Sequence, residues 1–98
     1  MINLSALAQK LDGELMGGDI AFSQLSTDSR TLSHGDMYLA LNGDRYDGND
    51  FVVEAITKGA SGAIVSKELD IDCPMLRVPD THAALGEIAK LNRQRSSA

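Results

Sequence analysis

Two polar loops hold most of the side chains in this sequence that could contact a ligand. The first loop, residues 26–30, is Ser-Thr-Asp-Ser-Arg, so hydroxyls, a carboxylate and a guanidinium stand close together. Hydroxyls and loop amides can hold a phosphate or the edge of a uracil ring, and an arginine can bridge two phosphate oxygens. The alternative is a structural turn, in which Asp28 caps nearby backbone amides and pairs with Arg30.

The second loop, residues 42–50, contains two glycines with an arginine and a tyrosine between them. Gly43 and Gly48 allow positive φ angles and close approach of the backbone to a ligand. Tyr46 could stack on a base. The alternative is a simple connection that ends in an Asp-Gly turn, with Asp44 and Asp47 either paired or separately solvated.

Catalytic and metal-binding patterns are absent from the sequence. There is no G-x-x-x-x-G-K-[ST] phosphate loop, no G-x-G-x-x-G, no H-E-x-x-H, no G-x-S-x-G and no C-x-x-C. No local pattern pairs His34 or His82 with a nucleophile. We therefore predict a binding site without catalytic residues and without a metal.

The composition of the chain indicates which partners and which cellular location are compatible with it. The chain has 98 residues and a net charge of −5. Residues 1–89 contain all fourteen acidic residues and six of the nine basic ones, which argues against nucleic acid and anionic membranes as partners. No segment approaches the roughly 20 apolar residues of a membrane span. The single cysteine, Cys73, excludes an internal disulfide framework and favours a cytoplasmic location.

Alternating helical and strand-like segments must position the two loops. Periodicity predicts helices over 4–11 with Asn3 as N-cap, over 51–58 with Asn49 or Asp50 as cap, and from Asp80 or Thr81 onwards. Strands are predicted over 14–16, 20–25 with a bulge, 36–41, 63–65 and 75–78. This order favours an α/β domain, with a mixed sheet and helices packed on its faces. Each loop follows a strand, and ligands of such sheets bind where loops leave the C-terminal strand ends.

The two loops and their surroundings together resemble the N-terminal domain of the Mur ligases of the E and F types. The residues that carry the resemblance are Thr-Asp-Ser-Arg at 27–30, Gly-Asp-Met-Tyr-Leu-Ala-Leu-Asn-Gly at 35–43, Asp-Gly-Asn-Asp-Phe at 47–51, Ala55 and Gly-Ala at 59–60. The ending, Asp-Thr at 80–81 and Ala-Leu-Gly-Glu-Ile-Ala at 84–89, is more similar to the F type.

The resemblance implies a cytoplasmic, ATP-dependent ligase of peptidoglycan synthesis with three domains. In the F type, the enzyme adds D-alanyl-D-alanine to UDP-N-acetylmuramoyl-tripeptide. We expect residues 1–98 to be the N-terminal fragment, a single domain that binds the uridine-diphosphate end of that substrate and is not itself catalytic. ATP and Mg²⁺ would belong to the parent enzyme, whose central and C-terminal domains are the other expected partners.

Carried over residue by residue, the resemblance implies a substrate-binding set on both loops. Ser29 is the first candidate for a hydroxyl contact to the nucleotide, with Thr27 beside it, while Asp28 and Arg30 fix the loop. The set continues along the second loop through Asn42, Gly43, Asp44, Arg45, Tyr46, Asp47, Gly48 and Asn49. Asn49 departs from the family, which often has histidine there, so a cationic contribution at this position is in doubt.

Two alternative functions remain open from the sequence. The chain could belong to an E-type ligase, which adds the third amino acid of the peptide. It could also be a protein-interaction module of the same fold without enzymatic function, because a fold does not fix a function. An exposed apolar patch and the absence of any response to uridine nucleotides would favour the second alternative.

Overall fold

The computed structural model describes residues 2–42 and 47–96, with side chains described as far as residue 90. The first half of the chain contains β1 (Ile2–Asn3), α1 (Leu4–Leu11), β2 (Glu14–Met16), β3 (Ala21–Phe22) and β4 (Leu25–Ser26). The second half contains β5 (Met37–Leu39), a 3-10 helix (Gly48–Phe51), α2 (Val52–Thr57), β6 (Gly62–Val65), β7 (Met75–Arg77) and α3 (Thr81–Ser96).

Five of the strands form one mixed sheet, in the order β2-β7-β6-β5-β4. Strands β4, β5, β6 and β7 run parallel to one another, and β2 pairs antiparallel with β7 at one edge. Strands β1 and β3 form a separate antiparallel pair. The predicted α/β class with a mixed sheet is confirmed.

Alternate residues of the central strands divide the core between the two faces of the sheet. One face carries Met37, Leu39 and Ile64, and it is covered by α1 and α3 through Leu4, Leu7, Ala84 and Ile88. The opposite face carries Tyr38, Ala63 and Val65, and it is covered by α2 through Val52 and Ala55. Because successive side chains of a strand point to opposite sides, both faces of β5 and β6 are buried and the two strands are apolar throughout.

The predicted single strand over 20–25 is wrong, because this segment is shared between the two sheets. Phe22 is buried and pairs with Ile2, whereas Leu25 pairs with Met37 of the large sheet. The exposed residues Ser23 and Gln24 lie between the two strands, where the chain passes from one sheet to the other.

The helix caps also differ in part from the sequence prediction. Asn3 occupies the N-cap position of α1 but its side chain makes no capping hydrogen bond. The Asp19 carboxylate takes that role instead, accepting hydrogen bonds from the Ser5 backbone N–H at 3.0 Å and from the Ser5 hydroxyl at 2.7 Å. Asp80 caps α3 as predicted, with its carboxylate accepting from the backbone N–H of His82 at 2.9 Å. No helix within the described ranges is both long enough and apolar enough to cross a membrane.

Candidate functional site

The two polar loops leave the sheet at the same edge. Strands β4 and β5 are parallel neighbours, with Ser26 opposite Tyr38, so the segments that follow them emerge side by side at the C-terminal strand ends. The first loop is described completely. The second is described at its two ends, Asn42 and residues 47–50, while Gly43, Asp44, Arg45 and Tyr46 lie outside the described residues.

Within the first loop, Asp28 and Arg30 stabilise the turn itself. The Asp28 carboxylate accepts hydrogen bonds from the Arg30 backbone N–H at 2.8 Å and from the Arg30 guanidinium at 3.0 and 3.1 Å. These hydrogen bonds favour the charged carboxylate and lower the pKa of Asp28. The Arg30 side chain is 80% exposed, so its ion pair orders the loop surface rather than the core. Both residues therefore have the loop-fixing arrangement that the sequence predicted.

Ser29 differs from its neighbours because its side chain points inward. The residue is 5% exposed, and its hydroxyl donates a hydrogen bond to the Glu54 carboxylate of α2 at 3.0 Å. Glu54 in turn lies 3.6 Å from the ammonium group of Lys58, one helical turn further along α2. The first loop is thus joined to α2 through a hydroxyl–carboxylate–ammonium chain.

A cleft of about 560 Å³ lies between the first loop and the start of α2. Its walls are formed by the loop, by two aromatic residues and by the carboxylate that holds Ser29: Thr27, Asp28, Ser29, Arg30, Tyr38, Phe51 and Glu54. Phe51 is 40% exposed, which is unusual among the large apolar residues of this chain. The cleft therefore combines aromatic surface with hydroxyl and carboxylate oxygens, the composition expected of a small-molecule site.

Tyr38, Phe51 and Glu54 were not among the site residues predicted from the sequence. Tyr38 is buried within β5, and its hydroxyl donates a hydrogen bond to the Gly48 carbonyl at 3.0 Å, which links the cleft to the base of the second loop. Glu54 and Phe51 belong to a helical segment that looks structural in sequence. The sequence signal for Phe51 is its place in the Asp-Gly-Asn-Asp-Phe stretch at 47–51, one of the segments that carry the resemblance.

Asn49 holds the second loop at its C-terminal end. It is 3% exposed, and its side-chain amide N–H groups donate to Asp47 at 2.6 Å, to the Ser66 hydroxyl at 3.2 Å and to the Asn42 side-chain oxygen at 3.3 Å. Its own side-chain oxygen accepts from the Ser66 backbone N–H at 3.1 Å. Asn49 thus connects both ends of the loop to the residue that follows β6. Asn49 does not act as the predicted helix cap, and its amide group donates to oxygens within the protein.

Asp47 forms the charged part of the same arrangement. Its carboxylate pairs with the Lys67 ammonium group and accepts a hydrogen bond from the Asn49 backbone N–H at 2.9 Å. The Lys67 hydrogen bond, with those from Asn49, lowers the pKa of Asp47 to about 2. Asp47 also caps the 3-10 helix. The helix α2, for which Asn49 or Asp50 was the predicted cap, has Phe51 at its N-cap position and no side-chain capping hydrogen bond. An isolated antiparallel bridge joins Asn42 to Asp47, so these two residues of the second loop lie next to each other.

The last helix contacts the second loop as well. His82, in the first turn of α3, has its Nε2 3.1 Å from the Asn42 carbonyl oxygen, so that nitrogen donates the hydrogen bond. Elements from both faces of the sheet therefore support the loop. Within residues 2–42 and 47–96, no group of histidine, cysteine and acidic side chains is arranged to hold a metal ion.

Comparison with known proteins places this geometry in a family. The model of the Mur ligase family, catalytic domain, matches residues 21–93. The UDP-N-acetylmuramoyl-tripeptide–D-alanyl-D-alanine ligase of Escherichia coli is 44% identical over 97 residues, which cover 99% of this chain and 22% of that protein. The UDP-N-acetylmuramoyl-L-alanyl-D-glutamate–2,6-diaminopimelate ligase of Gloeobacter violaceus is 38% identical, over 72% of this chain and 15% of its own length.

Among solved structures, a crystal structure of MurF from Acinetobacter baumannii superposes with a TM-score of 0.77. It is 30% identical in sequence, over 96% of this chain and 21% of its own length. The chain thus spans about a fifth of the length of the F-type proteins it matches.

Proposed function

The chain belongs to the Mur ligase family, and from this we propose that it holds the uridine end of a UDP-N-acetylmuramoyl-peptide for ligation by the rest of the parent enzyme. The observation that carries the proposal is the cleft at the C-terminal strand ends, where Ser29 lies beside Phe51 and Tyr38. An aromatic wall suits the flat face of a nucleobase, and hydroxyl and carboxylate oxygens suit its polar edge.

The charges around the cleft favour the neutral part of the nucleotide. Asp28 and Glu54 are each accompanied by a cation, Arg30 and Lys58 respectively, so the walls carry no excess positive charge. A diphosphate needs such an excess, because each phosphate carries negative charge that must be matched or solvated. We therefore assign the base and ribose to the cleft and the diphosphate to the second loop, where the sequence supplies Arg45.

The parent enzyme is proposed to be an F-type ligase that adds D-alanyl-D-alanine to UDP-N-acetylmuramoyl-tripeptide in the cytoplasm, as a step of peptidoglycan synthesis. The support is the 44% identity to the Escherichia coli protein of that name over 99% of this chain. ATP and Mg²⁺ are proposed to bind elsewhere in the parent enzyme. The residues present here do not fit them, because the sequence contains no phosphate-binding loop of the G-x-x-x-x-G-K-[ST] kind.

An amide chemical-shift titration tests the binding proposal directly. UDP-N-acetylmuramoyl-tripeptide is added to the isotope-labelled chain, with uridine monophosphate in a parallel series. We expect shifts at residues 27–30 and 47–51 with both ligands, and additional shifts around Arg45 with the diphosphate compound. Ser29→Ala should weaken both ligands, whereas Arg45→Ala should weaken mainly the diphosphate compound. Ser23→Ala serves as the control, since Ser23 is an exposed serine between β3 and β4.

Two results would contradict the proposal. Unchanged affinity in both Ser29→Ala and Arg45→Ala would show that the site is assigned to the wrong residues. The absence of any shift at millimolar ligand, in this chain and in one extended through the next domain, would favour a protein-interaction module. The F type is tested separately in the parent enzyme by ADP release. D-alanyl-D-alanine is offered with UDP-N-acetylmuramoyl-tripeptide, and 2,6-diaminopimelate with UDP-N-acetylmuramoyl-dipeptide.

A further inference from the structure

The hydrogen bond between Ser29 and Glu54 has only one possible direction. An ionised carboxylate has no proton to give, so the Ser29 hydroxyl is the donor and Glu54 the acceptor, with 3.0 Å between the two oxygens. A hydroxyl has a single hydrogen. Once this hydrogen is directed at Glu54, the Ser29 oxygen presents only lone pairs to any other partner.

We propose that Glu54 is a positioning residue that fixes Ser29 as a hydrogen-bond acceptor, so that the cleft binds its ligand through a donor group of the neutral nucleoside. This inference rests on the proposed function, since it concerns the same cleft and a uridine ligand. It makes Ser29 the acceptor, and the ligand the donor, of the hydrogen bond between them. It therefore predicts which nucleosides the cleft binds.

The surroundings of Ser29 keep this arrangement in place. Glu54 forms an ion pair with Lys58, one turn further along α2, at 3.6 Å. Ser29 is 5% exposed, so water competes little for its hydrogen. No other hydrogen bond to the Ser29 hydroxyl is found within the described part of the chain, and the residue lines the cleft. Its lone pairs are therefore available to a ligand.

Uridine offers two kinds of donor that could meet this acceptor. One is the imide N–H of the uracil ring, and the other is the 2′-hydroxyl of the ribose. Cytosine carries a lone pair where uracil carries the imide N–H, so an acceptor fixed at that position would repel it. The shared chemistry is a hydrogen-bond donor on the neutral part of the nucleotide, and the choice of ligands separates the two sources.

The test compares the affinities of uridine diphosphate, cytidine diphosphate and 2′-deoxyuridine diphosphate for the chain, by chemical-shift titration. We expect one of the two analogues to bind about tenfold more weakly than uridine diphosphate, the effect of losing one hydrogen bond to a well-placed acceptor. Weaker cytidine diphosphate would identify the imide N–H as the donor, and weaker 2′-deoxyuridine diphosphate would identify the ribose hydroxyl.

Glu54→Ala provides the decisive comparison. Without the carboxylate the Ser29 hydroxyl can rotate and donate, so the preference should fall to within about twofold, and the disfavoured analogue should gain relative to uridine diphosphate. A purely structural role for Glu54 would weaken all three ligands equally and leave the preference unchanged. Glu87→Ala is the matched control, because Glu87 has similar exposure, 47% against 44%, and a lysine at 3.7 Å, but lies on α3.

Ser29→Ala keeps the test conclusive if Glu54→Ala does not fold. Removing the acceptor should abolish the preference while Glu54 remains. A preference that persists in Ser29→Ala would mean that another group reads the nucleoside, and equal affinity of the unaltered chain for all three ligands would mean that no group does. Either result overturns this inference and leaves the proposed function standing, whereas failure of uridine diphosphate itself to bind would remove both.

Discussion

Replacing Asn49 with alanine should destabilise the domain more than any ordinary surface substitution. The side chain is 3% exposed and connects Asn42, Asp47 and Ser66 through its amide group. Alanine removes these hydrogen bonds together, and it leaves the Ser66 backbone N–H without the oxygen that now accepts from it. Because unsatisfied polar groups are costly where water has poor access, the effect exceeds the loss of the contacts alone.

The expected size follows from the contacts. The two amide hydrogens of Asn49 serve three acceptors and its oxygen serves one donor, which is equivalent to about three full hydrogen bonds. At about 1 kcal/mol each, and with the Ser66 backbone N–H left unpaired, the free energy of unfolding should fall by at least about 3 kcal/mol. For a domain of this size that corresponds to a decrease in Tm of about 12–24 °C, and it is a large part of a total stability of about 5–15 kcal/mol.

Thermal and urea unfolding followed by circular dichroism would measure this change. Asn3→Ala is the matched control, because Asn3 is exposed and its side chain makes no capping hydrogen bond. We expect Asn3→Ala to change the free energy of unfolding by less than about 0.5 kcal/mol. If Asn49→Ala melted within about 3 °C of the unaltered chain, Asn49 would not be the residue that holds the second loop.

Substitutions elsewhere test the acid response, the glycines and the first loop. The pKa of Asp47 is lowered from 3.8 to about 2, so its stabilising effect is present above 3.8 and is lost as the pH falls towards 2; Asp47→Asn should flatten the stability profile in that window. Gly86→Ala should stabilise α3 by about 1 kcal/mol, because a Cβ there meets nothing within 4 Å. Gly48→Ala should destabilise by about 1–3 kcal/mol, because its Cβ would lie 2.7 Å from a backbone nitrogen. In thermal melts, Arg30→Ala should leave Tm nearly unchanged, whereas Asp28→Ala should lower it, because Asp28 also accepts a backbone N–H. If the stability of Asp47→Asn still fell steeply as the pH drops from 3.8 towards 2, the role of Asp47 would be contradicted. Equal effects of Gly86→Ala and Gly48→Ala, or equal effects of Arg30→Ala and Asp28→Ala, would contradict the contacts assigned to those residues.

The sequence predicts well those features that depend on neighbouring residues. The apolar runs that become β5, β6 and β7 are recognisable because both faces of these strands are buried. The Asp28–Arg30 turn is likewise predictable, since donor and acceptor are two residues apart. The Asp80 cap of α3 belongs to the same class, because it acts on the backbone two residues further along.

Features that depend on distant partners could not be predicted in the same way. Residues 20–25 alternate like one strand, yet their division follows from pairing with Ile2 on one side and Met37 on the other. Asn49 depends on Ser66, 17 positions away, and the Ser29 contact spans 25 positions to Glu54. No local pattern contains these pairings, so the walls of the cleft emerge only when the chain is folded.

The strand order also determines when the sheet can form as the chain is synthesised. Both outer strands, β2 and β4, precede all three inner strands, β5, β6 and β7. The Glu14–Arg77 pairing spans 63 positions, so β2 has no partner until nearly the whole domain has left the ribosome. Closing so long a loop is slow, so the pairing of β2 with β7 forms late, whereas β4, β5, β6 and β7 can pair in chain order. Before they pair, the outer strands β2 and β4 expose edges of only three and two residues, so a neighbouring nascent chain can form few backbone hydrogen bonds with them.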